Sequence, residues 1–222
     1  MEHWDWQVAW DISPTLLRGL WVTIQLTLLG TALAMVLGLV LAVLRRSRLR
    51  LLSWPTAFVV EFIRSTPFVV QVFFVFFLLP QYNPNLALSA FATGVIGLGI
   101  HYATYTSEVY RAGIESVARG QWEASTALSL NAYQTWLRVI LPQAIPRVIP
   151  ALGNYLVAMF KDAPIVATIG LLDVLGEARR IASRDFLFLE PYTLVGVYFL
   201  AVSVPAAIFV RFLEGRFGRP VA

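Results

Sequence analysis

Ionisable and polar side chains recur inside stretches that are otherwise apolar, and these are the residues that could do chemistry. One stretch carries Glu61, Arg64, Thr66, Pro67 and Gln71, a second His101, Tyr102, Tyr105 and Glu108, and a third Asn154, Lys161 and Asp162. Groups of this kind are costly in hydrocarbon, so they face protein or a cavity and mark a solute path by default. Tyr102 and Tyr105 lie three apart, share a helix face and can form one aromatic wall. Glu61 and Arg64 have the same spacing and can instead simply pair with each other. Lys161 and Asp162 are adjacent, point in different directions and must find partners on other helices. His101 reads equally well as a satisfied core histidine.

Bond-making chemistry finds little support. There is no Cys, and His3 and His101 are too far apart to begin a metal site. The single Lys, Lys161, follows Phe160, so the Gly-Lys-[Ser/Thr] run of a phosphate-binding loop is absent. No nucleophile–base pair is visible. The chain reads as a transport component with no cofactor and no ATP site of its own, rather than a membrane enzyme.

The elements that must position these residues are membrane helices. Hydrophobic residues make up 58% of the 222 and charged residues 14%, with mean hydropathy +0.70; a soluble domain carries about a quarter charged residues. Spans of about 20 apolar residues are expected near 21–44, 54–79, 86–110, 145–172 and 191–213, giving an all-α, polytopic, single-domain protein over 1–222. Gly30, Ala34 and Gly38 place small residues on one face of the first span, as a packing seam within the subunit, a seam against another subunit, or an incidental feature. Trp4, Trp6, Trp10 and Trp21 suggest an interfacial belt or a short surface helix, and the N-terminus lacks the basic region of a cleavable signal. Pro205 is expected to bend the fifth span.

Arginine asymmetry sets the orientation. Arg45, Arg46, Arg48 and Arg50 crowd the exit of span one, Arg111, Arg119 and Arg138 lie between spans three and four, and Arg211, Arg216 and Arg219 close the chain. With five spans the N-terminus is then outside and the C-terminus inside. The segment 173–190 carries Arg179, Arg180 and Arg184 on the outer side, balanced by Asp173, Glu177, Asp185 and Glu190. The net charge of +4 resides at span ends, which argues against nucleic acid.

Between spans three and four lies a polar, helix-prone segment, 114–142. Gly120, Glu123, Ala124, Ser125 and Ser129 form its centre, with Ala124, Ala127 and Leu128 as a small apolar face, and Leu141-Pro142 closes it. Such a segment suits the cleft of a soluble partner. Glu123 is expected near the positive end of its helix dipole, and Pro142 and Pro146 to break the helix before span four.

These residues resemble a known family. Glu123-Ala124-Ser125, Ser129, Val139 and Leu141-Pro142 are similar to the loop signature of permease subunits of bacterial ABC importers, with Ser125, Ser129 and Val139 standing where Ala, Gly and Ile are usual. The run Glu61-Phe62-Ile63-Arg64-Ser65-Thr66-Pro67 with Gln71, together with Tyr105, Glu108, Arg111, Leu152-Gly153-Asn154 and Lys161-Asp162, resembles the polar amino acid branch. Stretches 97–111, 154–162 and 189–196 are most similar to permeases for ectoine and hydroxyectoine.

The resemblance implies a multi-pass protein of the bacterial inner membrane. It implies two ATPase subunits binding ATP and Mg, a second permease subunit in a homo- or heterodimer, and an extracytoplasmic solute-binding protein. The segment around Glu123 would be a cytoplasmic coupling helix. The cargo would be a small zwitterion, ectoine or a polar amino acid such as glutamine, arginine or histidine. His101, Tyr102, Tyr105, Glu108, Asn154, Lys161 and Asp162 are the path candidates, and Glu61, Arg64, Thr66, Pro67 and Gln71 the structural or gating ones. An ion-coupled secondary transporter is the alternative from another class.

Overall fold

The computed structural model describes residues 4–217; His3 and Arg219 lie outside the described residues. Helix α1 spans Trp6–Arg45 and is capped by Asp5, whose carboxylate accepts from the amides of Gln7 and Val8. Trp6, Trp10 and Trp21 are exposed along it, so the Trp-rich segment is the beginning of this first long helix and not a separate surface helix. At about 1.5 Å per residue, α1 is far longer than a bilayer core needs.

The second stretch, 54–79, is not one rod, which corrects the expectation of a continuous span. Helix α2 (Arg50–Arg64) stops, and α3 (Phe68–Phe73) restarts at an angle of 104° and passes through a π-helical turn, Phe74–Leu78, into α4 (Leu79–Tyr82). Pro67 causes the break, because its ring pushes Thr66 out of the helical region. The carbonyls freed there are recovered by one side chain. Gln71 Nε2 donates to Ile63 O at 2.7 Å and Thr66 O at 2.9 Å.

Helix α5 (Ala90–Glu115) runs through the centre. It packs most intimately on α1, where Gly30, Ala34 and Gly38 are all buried. A Cβ on Gly30 would stand 3.2 Å from Leu98 Cβ, and Thr106 Oγ1 donates across the seam to Ala34 O at 2.9 Å. The small-residue face is therefore a seam within the subunit. Leu26, Phe68, Val72, Leu98, Met159 and Val166 fill the core around it.

Helices α6 (Arg119–Ala127) and α7 (Ala132–Gln134) follow. A π-helical turn, Thr135–Ile140, then leads without a break into α8 (Leu141–Asp162). The expected break at Pro142 and Pro146 does not occur. The helix runs through both prolines, and the π turn just ahead of Pro142 has already shifted the hydrogen-bond register, with Leu141 N donating five residues back to Trp136 O. The fourth stretch also departs from a single helix over 145–172. Past Asp162 it tightens into a 3₁₀ segment, Ala163–Ile169, turns at left-handed Gly170, and bends by 44° into α9 (Val174–Asp185), capped by Asp173. Helix α10 (Leu189–Phe217) continues through Pro205 as one helix. Glu190 in its first turn accepts from Asp5 N at 3.0 Å, tying the beginnings of α1 and α10 together.

The described residues are almost wholly helical. α1 and α10 are each long and apolar enough to cross a membrane, and the two bent pairs bring the candidates to four. The polar face of α5 between His101 and Glu108 keeps that helix out of a purely hydropathic count, although 26 residues make about 39 Å of helix.

Candidate functional site

Tyr102 and Tyr105 on α5 stand 5.9 Å apart between ring centroids, and Tyr155 of α8 joins them at 6.2 and 5.7 Å. His101 lies 5.3 Å from Tyr105. Two charges bracket this aromatic wall. At one end Tyr102 Oη donates to Asp162 Oδ2 at 2.6 Å. At the other the Arg64 guanidinium lies over Tyr105, 5.2 Å from the ring centroid. An anion, four rings and a cation thus form one surface across α2, α5 and α8.

His101 belongs as much to the α2–α3 break as to this wall. Its Nδ1 is 3.2 Å from Gln71 Oε1. The Gln71 amide nitrogen already donates to two carbonyls, so its oxygen is the acceptor and His101 Nδ1 carries the proton. Thr66 Oγ1 donates back to Phe62 O at 2.7 Å, and Pro67 stands at the start of α3.

Glu108 is the centre of a second cluster. Its Oε1 accepts from Arg45 of α1, and its Oε2 accepts from Arg111 Nε at 2.9 Å. Arg64 Nη1 stands 3.8 Å from Glu108 and 3.9 Å from Glu61. The expected Glu61–Arg64 pair is therefore loose, and Glu61 is exposed. From Arg111 the chain of contacts continues. Arg111 binds Glu115 at 2.6 Å, Arg46 lies 4.0 Å from Glu115 and 5.9 Å over the Trp136 ring, and Trp136 meets Trp122 of α6 edge-on at 5.4 Å. Packed side chains and ion pairs thus run from α6 to the guanidinium over Tyr105.

Helix α6 presents Gly120, Glu123, Ala124, Ala127 and Leu128 to the exterior, while Ser125 turns inward and donates to Gln121 O at 2.7 Å. Glu123 is not at the helix start, as expected, but in its fifth position, where it pairs with Arg119 at 3.0 Å. Helix stop signals follow in order. Ser129 adopts φ 52°, its amide donates to Thr126 O at 2.9 Å, and Leu130 N donates to Ser125 O at 3.0 Å. That is the left-handed cap usually given to glycine, so the bend persists with serine in its place. Leu141 is half-buried and Pro142 exposed in the first turn of α8.

The path candidates separate into three groups. His101, Tyr102, Tyr105 and Asp162 converge. Glu108 lies a turn along α5 in the arginine cluster. Asn154 and Lys161 do not join them. Asn154 Nδ2 donates to Glu214 Oε1 of α10 at 2.8 Å, and Lys161 is exposed without a hydrogen bond or ion pair among the described residues. Tyr155 and Arg45 are additions. Tyr155 precedes Asp162 by seven residues, which puts both on one helix face, and this spacing could have found it. A cavity of about 310 Å³ beside the break is lined by Phe62, Ile63, Thr66, Val70, Gln71 and Phe74 among others, and its surface is almost wholly apolar, a poor setting for a charged group.

Residues 34–219 match the family described as binding-protein-dependent transport system inner membrane component. The chain is 46% identical over 206 residues to a probable amino-acid ABC transporter permease, y4tG, of Sinorhizobium fredii, covering 93% of this chain and 88% of that one. It is 32% identical over 214 residues to the glutamine transport system permease GlnP of Escherichia coli, covering 96% and 98%. The crystal structure of an amino acid ABC transporter with histidines superimposes with a TM-score of 0.90 at 30% identity, over 97% of this chain and all of that one. The chain belongs to the binding-protein-dependent inner membrane components. It is a permease of an amino-acid ABC importer in the bacterial inner membrane, a transport component that leaves ATP hydrolysis to a separate ATPase subunit.

Proposed function

We propose that this permease carries a small zwitterion along the surface formed by Tyr102, Tyr105 and Tyr155, driven through α6 by a pair of ATPase subunits that bind ATP and Mg. The observation that carries the reading is the continuity between the two regions, from Trp122 through Trp136, Arg46, Glu115, Arg111 and Glu108 to Arg64. ATP can bias the pore only through contacts that differ between its states, and Gly120, Glu123, Ala124, Ser125, Ser129, Leu141 and Pro142 surround the one segment suited to receive them. In this reading residues 1–222 form one permease domain with five spans: α1, α2 to α4, α5, α8 with its 3₁₀ extension, and α10. The N-terminus is outside, the C-terminus inside and α6 cytoplasmic, as the arginine distribution favours.

A second permease subunit completes the pore, and an extracytoplasmic binding protein delivers the cargo. Lys161 and Asn154, exposed on α8, suit the face toward that second subunit or the water between the two. Among zwitterions, the finer assignment to ectoine or hydroxyectoine rests on the likeness of 97–111, 154–162 and 189–196 to permeases for those solutes. Polar amino acids such as glutamine are the alternative, favoured by the names of the relatives.

The test is uptake of radiolabelled ectoine and glutamine into vesicles holding the complete importer. Uptake should require ATP and the ATPase subunits and survive a protonophore, with ectoine outcompeting glutamine. Uptake that collapses with the proton gradient and ignores ATP contradicts the mechanism; preference for glutamine overturns only the ectoine assignment.

A further inference from the structure

Three arginines converge on Glu108, and Arg64 is the one held most loosely. Glu108 gives one oxygen to Arg45 and the other to Arg111, and Arg111 is held again by Glu115. Arg64 approaches Glu108 and Glu61 only to 3.8 and 3.9 Å with the same nitrogen, and makes no hydrogen bond among the described residues. Its Nε is buried and unpartnered. A guanidinium offers a planar fork of donors that matches a carboxylate with two parallel bonds, and a buried donor left unmatched is a standing cost. This one is seated over Tyr105, at the edge of the aromatic wall. At the other edge, Asp162 uses Oδ2 to accept from Tyr102, while its Oδ1 accepts nothing among the described residues.

We propose that Arg64 is the residue that reads the carboxylate of the cargo, with Asp162 Oδ1 taking the N–H of its cationic end and the tyrosines filling the space between. The proposal rests on the zwitterion reading above and sharpens it. The cargo must carry a free carboxylate, and uncharged polyols or carboxamides fit poorly. It also turns Glu108 into a positioning residue. With both oxygens engaged elsewhere, Glu108 holds Arg64 near without saturating it, so a solute carboxylate displaces a weak contact and not a strong one. Arg45 and Arg111 are the other cations facing Glu108, and their charges stay paired when Arg64 turns to the solute.

Equilibrium dialysis on the complete complex of permease and ATPase subunits, with the binding protein omitted, tests this with two probe pairs: L-glutamine and its α-carboxamide, and ectoine and its carboxamide. The wild-type complex should favour the carboxylate form of its preferred solute by about tenfold or more, and Arg64→Gln should bring that ratio to about one by weakening the carboxylate form alone. Arg64→Lys keeps the charge and loses the fork, so it should retain part of the ratio, reduced roughly threefold or more. This second variant decides the matter if Arg64→Gln does not assemble. An unchanged ratio in either variant overturns the proposal, as does equal loss of both forms in Arg64→Lys, which would make Arg64 structural. A wild-type complex that binds the carboxylate and carboxamide forms equally overturns the zwitterion reading with it, whereas a wild-type ratio that survives Arg64→Gln overturns the role of Arg64 alone.

Discussion

Helices α5 and α10 are of similar length, yet they face opposite worlds. α5 buries Thr93, His101, Thr104, Thr106 and Ser107, and is closed in by α1, α3 and α8. α10 is more apolar by sequence but leaves Val197, Leu200, Val204, Ile208 and Phe212 exposed. A soluble protein would reverse these roles. In lipid the apolar helix needs no cover, because hydrocarbon is as good a partner as another leucine. The helix with polar groups is drawn inward, where close packing and hydrogen bonds hold it. Three of these hydroxyls find carbonyls, Thr104 donating to His101 O at 2.6 Å, Thr106 to Ala34 O at 2.9 Å and Ser107 to Thr104 O at 2.7 Å, while Thr93 Oγ1 is buried without a partner among the described residues. His101, Tyr102 and Tyr105 sit on this buried helix, and Tyr155 and Asp162 of α8 and Arg64 of α2 meet them from its neighbours.

Substitutions can break or sharpen this contrast. The largest effect is expected at the α1–α5 seam. A Cβ on Gly38 would meet Thr106 Oγ1 and stand 3.0 Å from Ala103 O, so Gly38→Leu cannot be absorbed without moving backbone; a loss of about 3 kcal/mol or more is expected, read as a lower midpoint in thermal unfolding of the purified permease. Ser129→Gly removes a strained left-handed serine and should stabilise by about 1 kcal/mol, measured in the same assay. Thr106→Val deletes the bond to Ala34 O and should cost about 0.6 kcal/mol. Gly196 on α10 has open space around its would-be Cβ, so Gly196→Ala should stabilise by about 0.5 kcal/mol or leave the midpoint in place. A loss at Gly196 comparable to that at Gly38 would show that α10 is packed as tightly as α5, and would remove the contrast.

The sequence carried the two long apolar helices that became α1 and α10, the helical nature of the segment around Glu123, and the shared face of Tyr102 and Tyr105, all features of one helix read along its own axis. It carried less about relations between helices. Thr66-Pro67 announced a break, but its sharpness depends on Gln71 reaching back to Ile63 and Thr66, which no local pattern specifies. Arg64 was visible as a partner for Glu61 three residues away, whereas the structure turns it toward Tyr105 and Glu108 on another helix. Asn154 carried the same polar signal as Asp162, and only the rotation of α8 sends one to α10 and the other to Tyr102. Pro142 looked like a helix breaker because the π turn that accommodates it has no clear sequence mark. Glu123 is a dipole partner only for a helix that begins beside it, whereas α6 begins four residues earlier at Arg119.

The central claim is that force from a separate ATPase enters this protein through α6. The most direct measurement is co-purification of the ATPase subunits, with their solute-stimulated ATP hydrolysis, for Ala124→Asp and Glu123→Lys, two substitutions on the exposed face of α6 that touch none of the core. Both variants should insert into the membrane normally, and both should lose the ATPase or its stimulation. ATPase recovered in full with normal stimulation in both would contradict the account.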